Sequence, residues 1–120
     1  MRLLAQLHAG GGWVVVAVTV CFLLAAIVHA RFLDPPSWFE RARGLVTIVV
    51  GVQILLGALT YGEGARPSDS LHLLYGVAAL GALPLANTFA SEAPPRARSG
   101  ALAAGALVTL ALAWRLFATA

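Results

Sequence analysis

Four apolar stretches, each long enough to cross a bilayer, take up nearly the whole chain: about Leu7 to Ala30, Ala42 to Tyr61, Ser70 to Ala90 and Ser99 to Phe117. A run of about 20 mostly apolar residues matches the hydrocarbon thickness of a membrane. No water is present there to pair with backbone N–H and C=O groups, so a segment crossing alone must satisfy them within itself, and the helix is the form that does so. Of the 120 residues 60% are apolar and 11% charged, more apolar surface than a soluble domain of this size can bury. The expected fold class is all-α: an integral membrane up-and-down four-helix bundle forming a single domain over residues 1–120. The first stretch exceeds a secretory signal in length and is expected to stay in the mature protein.

The segments between these stretches support the division. "DPPSWFERAR", "GEGARPSDS" and "SEAPPRARS" contain all five acidic residues and every proline but Pro84, so they read as loops. Asp69 or Ser70 is placed to cap the third helix and Ser99 the fourth. Pro84 is expected to kink the third helix. Connections this short make consecutive helices antiparallel neighbours. Arg31, Arg41, Arg43, Arg96 and Arg98 fall on one side of the membrane, against Arg2, Arg66 and Arg115 on the other, which predicts both termini outside a bacterial or archaeal plasma membrane. The net charge of +3 is carried by arginines scattered near segment ends, so the expected surroundings are the lipid bilayer, with no nucleic acid. Cys21, the single cysteine, lies mid-segment and reads as a lipid- or core-facing residue.

Polar residues within spans carry the most information, because they are expensive in lipid. Thr19, Thr47 and Thr109 are expected to bond back to their own helices. His29 and Asn87 fall at the predicted inner end and read as structural. His8 and His72 open the first and third helices, which run the same way, so the two rings belong at one predicted outer level and can meet. Each has glycine four residues on, Gly12 in "HAGGG" and Gly76 in "HLLYG", on the same helical face. A flat macrocycle gripped by two imidazoles needs such clearance. Loose packing at a helix end is the plainer account of each histidine taken singly, and small-residue packing seams are the plainer account of the glycines.

The stretch from Val52 to Ala90, "VQILLGALTYGEGARPSDSLHLLYGVAALGALPLANTFA", resembles one half of the haem A synthase family, in which a helix bearing Gln-x-x-Leu-Gly precedes a short outer loop and a helix opened by a haem-ligating histidine. The matching residues are Gln53, Leu56, Gly57 and His72, and His8 stands where that family's other axial histidine opens a helix. The resemblance implies haem b between His8 and His72, the iron being the metal. It differs from the family in having half the spans and no membrane-embedded carboxylate beside either histidine, so synthase activity is not implied. The small four-helix b-type membrane cytochromes resemble the chain more loosely. With haem bound, Arg66 and Arg115 are positioned to pair with propionates, or to snorkel to the interface. Gln53 is positioned to bond a propionate, the nearby loop, or another helix. The expected function is thus electron transfer with a redox partner and no catalytic residues of its own. The alternative is a structural or accessory subunit among other membrane subunits.

Overall fold

The computed structural model describes residues 2–120 and is all-helical: α1 Arg2–Arg31, α2 Ser37–Gly62, α3 Leu71–Phe89 and α4 Pro95–Thr119. All four are long and apolar enough to cross a membrane. Three of them start earlier than their apolar stretches. α1 reaches back to Arg2, α2 begins at Ser37 directly after Pro35 and Pro36, and α4 begins at Pro95. Pro95 fits a first helical position, since its missing N–H has no partner to lose there. Ser99, expected as a cap, therefore lies one turn inside α4 and donates to the Pro95 carbonyl at 3.0 Å. At α3, Asp69 rather than Ser70 takes the capping role, its Oδ1 accepting from the Leu71 amide at 2.9 Å. Pro84 stays within one continuous α3.

The helices pack in cyclic order, each against its two neighbours, and α1 and α3 lie on one diagonal. Alternating direction follows from the contacts at each end. At one end Asp69, before α3, donates its amide to the Thr119 carbonyl at the close of α4, at 3.4 Å. At the other, Arg98 near the start of α4 bonds Glu40 near the start of α2 at 2.5 Å, and also bonds Asn87 near the end of α3. The bundle measures 47 × 22 × 19 Å.

The core is uneven along this axis. Toward the Arg98 end it is filled by Phe22, Ala26, Phe39, Val46, Leu83, Leu102 and Ala106, with Phe22 stacked on Phe39 at a centroid distance of 5.1 Å. His29 is buried there, edge-on to Trp38 at 5.6 Å and Phe39 at 5.4 Å. α3 and α4 approach closely at Gly105, where a Cβ would stand 2.9 Å from the Ala86 Cβ and 3.4 Å from the Ala82 carbonyl oxygen. The second core cluster, Val15, Val50 and Ala79, is smaller, and beyond it the bundle opens into a cavity. The outer faces carry exposed apolar side chains on every helix, among them Leu24, Ile48, Val77 and Val108. Such a surface is suited to lipid rather than water.

Candidate functional site

Alternating helix directions bring the start of α1, the end of α2, the start of α3 and the end of α4 to one end of the bundle. The cavity there has a volume of about 380 Å³ and is lined from all four helices, by His8 and Gly12 of α1, Gln53 and Gly57 of α2, His72 and Gly76 of α3, and Thr109, Ala113, Leu116 and Phe117 of α4. Its walls are mostly apolar, and its size falls within the range of small-molecule and cofactor sites, about 300–1,000 Å³. α2 and α3, the least tightly packed neighbours, flank it on one side.

His8 and His72 meet across the α1–α3 diagonal with ring centroids 6.2 Å apart and planes at 75°. Metal–imidazole bonds of about 2 Å on either side of one ion put two ring centroids roughly 6 Å apart, so the pair has the separation that a shared ion needs. Each ring is held through Nδ1 by a neighbouring helix. His72 Nδ1 lies 3.1 Å from Thr119 Oγ1 of α4. His8 Nδ1 lies 3.2 Å from the Gln53 carbonyl oxygen and 3.1 Å from Gln53 Nε2, both on α2. Among the described residues, the bonds of His8 fall on Nδ1 alone, whereas the His72 ring also meets the Leu116 backbone carbonyl of α4. Engagement of one ring nitrogen with the other left over is the usual arrangement of a ligating histidine.

The glycines divide by what stands beside them. A Cβ on Gly57 would lie 2.7 Å from His8 Cε1, so glycine in "QILLG" gives the imidazole its berth. Two of the three glycines after His8 have a similar cause: Gly11 faces the Gln53 side-chain amide, and a Cβ on Gly12 would stand 2.9 Å from the Phe117 ring, whereas Gly10 has nothing within 4 Å. Gly12 still borders the cavity, but part of its clearance is taken by Phe117. Gly76 borders it too and has nothing within 4 Å. Gln53 makes the interhelical bond that was one of its expected roles, donating from Nε2 to the His8 carbonyl.

The two arginines part company. Arg66 lines the rim, with Nη1 donating to the Tyr61 and Ala65 carbonyls at 2.8 Å each and its guanidinium 3.9 Å over the Tyr61 ring. Arg115 lies outside the lining, 5.5 Å from the Tyr75 ring centroid. Among the described residues, no three His, Cys, Asp or Glu side chains gather as a metal cluster. A bare ion would therefore find two imidazoles and little else, whereas a ligand that brings its own equatorial donors needs only those two. Thr119 and Gly11 escaped the sequence reading. The signal for Thr119 was available: a hydroxyl in the last turn of α4 reaches the end at which α3 begins. Comparison with protein-family models, with curated proteins and with solved structures gives no match.

Proposed function

We propose that the chain is an integral membrane protein that holds one b-type haem between His8 and His72 and serves in electron transfer. The observation that carries this reading is the imidazole pair at 6.2 Å, each ring tethered through Nδ1, beside a glycine-bordered apolar cavity. The likeness of Gln53, Leu56, Gly57 and His72 to one haem A synthase half supports it further. A haem with two neutral imidazole ligands has no open coordination position and supplies one-electron transfer rather than oxygen chemistry.

The residues divide the work of binding. His8 and His72 supply the axial nitrogens. Gly57 admits the His8 ring, and Gly76 keeps the α3 wall open. Val15, Val50 and Ala79 close the floor and exclude water, lowering the local dielectric that sets a redox potential. Arg66 is the rim cation available to an anionic ligand edge, through charge-assisted hydrogen bonds. The arginine asymmetry, five against three, favours this end, with both termini, as the outer side of the membrane.

The test is an absorption spectrum of the detergent-purified protein, oxidised and reduced, with a pyridine haemochrome assay for haem type. The expected result is a six-coordinate, low-spin spectrum that is lost in both His8→Ala and His72→Ala while helical circular dichroism is kept. A colourless, folded preparation from haem-replete cells would overturn the reading and leave the imidazoles as braces within an accessory membrane subunit.

A further inference from the structure

The two imidazoles are held differently. His8 Nδ1 sits between an acceptor, the Gln53 carbonyl, and a donor, the Gln53 side-chain amide, so either tautomer finds a partner. His72 meets two groups of α4, its Nδ1 lying 3.1 Å from Thr119 Oγ1 and its ring in hydrogen-bonding reach of the Leu116 backbone carbonyl, and the hydroxyl is already committed: it donates to the Arg115 carbonyl one turn back at 2.7 Å, with the Leu116 carbonyl 3.4 Å away. A hydroxyl has one proton and two lone pairs. With its proton on Arg115, it can only accept from the ring. If it donated to Nδ1 instead, the Arg115 bond would be lost in a residue only 4% exposed. Thr119 is itself fixed at the end of α4, where its carbonyl accepts the Asp69 amide that leads into α3.

We propose that Thr119 is a positioning residue that locks His72 in the Nδ1–H tautomer, leaving the Nε2 lone pair ready for a metal, so that His72 is the preset ligand and His8 the adjustable one. A free neutral histidine favours the opposite tautomer, so the lock has an effect to exert. The metal role rests on the haem reading above, but the tautomer can be read in the ligand-free protein. Hydrogen bonding at Nδ1 also makes the imidazole a stronger donor, and loss of such outer partners typically weakens metal retention about 10- to 100-fold.

The experiment compares the unaltered chain with Thr119→Val, which removes the hydroxyl at nearly constant shape, and Thr119→Ser, which restores it. Two-bond 15N–1H spectra of histidine-labelled, ligand-free protein in detergent should show His72 as the Nδ1–H tautomer in the unaltered chain and in Thr119→Ser. In Thr119→Val, His72 should shift toward Nε2–H. On loading with haem, Thr119→Val should release it about 10- to 100-fold faster, with a raised midpoint potential, and Thr119→Ser should recover both. An Nε2–H tautomer in the unaltered chain, or one indifferent to Thr119→Val, overturns the lock. Failure to bind haem with the tautomer pattern intact overturns the haem reading alone.

Discussion

At the scale of single residues, glycines alike in sequence differ in what they face. Gly57 backs directly onto His8, so Gly57→Ala should push the ring aside. Alanine is the better helix former by about 1 kcal/mol, so a loss of haem from this variant cannot be laid to a weakened helix. The expected outcome is unchanged helical circular dichroism with a sharply reduced haem content per chain. Gly76 has open space beside it, so Gly76→Leu should fold normally and fill the cavity instead. Haem uptake should then fail in a protein whose thermal unfolding in detergent is unchanged or slightly raised. If the histidines were only braces, Gly76→Leu would alter no spectrum.

At the scale of elements, the helices touch through few backbone approaches, and these are unequal. Gly105 stands against a Cβ and a carbonyl of α3, atoms that move only with their helix. Gly105→Ala should therefore part α3 from α4, and overpacking of this kind costs about 1–3 kcal/mol. Gly44 on α2 faces nothing within 4 Å, so Gly44→Ala is the matched control and should be neutral or stabilising. Unfolding of the two variants in mixed micelles distinguishes them. Sequence spacing singles out Gly12 and Gly76 beside the histidines and leaves the other span glycines on one footing as packing seams. Which of them meet a neighbour depends on how each helix is rotated about its axis, and that is decided by packing against the other helices. The threonines teach the same lesson. Thr47 and Thr109 bond back to their own helices as expected, at 3.2 and 2.9 Å, whereas the buried Thr19 hydroxyl has no partner among the described residues.

At the scale of the whole molecule, one end is packed and tied by ion pairs and the other is hollow. The filled end has Phe22, Phe39 and Leu102 in its core, with Arg43 and Arg98 both on Glu40. The hollow end has the histidines and the loop from Gly62 to Asp69. The excess of arginines at the filled end predicts that it faces the cytoplasm. A cysteine introduced at Ser68, in the background Cys21→Ala, should react with a membrane-impermeant maleimide added to intact cells. Labelling only after the cells are opened would reverse the orientation and place the site on the inner side.

The residues alone determined that the chain is helical and where its helices fall, because hydrophobic length and the need to satisfy backbone groups in lipid are local properties. They also put His8 and His72 at one level, since direction alternates from one helix to the next. Helix ends were legible only to within about a turn, charged residues having continued α2 and α4 beyond the apolar stretches. Only the tertiary structure decided that the two rings stand 6.2 Å apart, that Gln53 and Thr119 hold them, and that Arg66 reaches the rim while Arg115 does not. Depth along a bundle follows from counting residues, whereas azimuth follows from the mutual packing of four surfaces, and no single segment contains it.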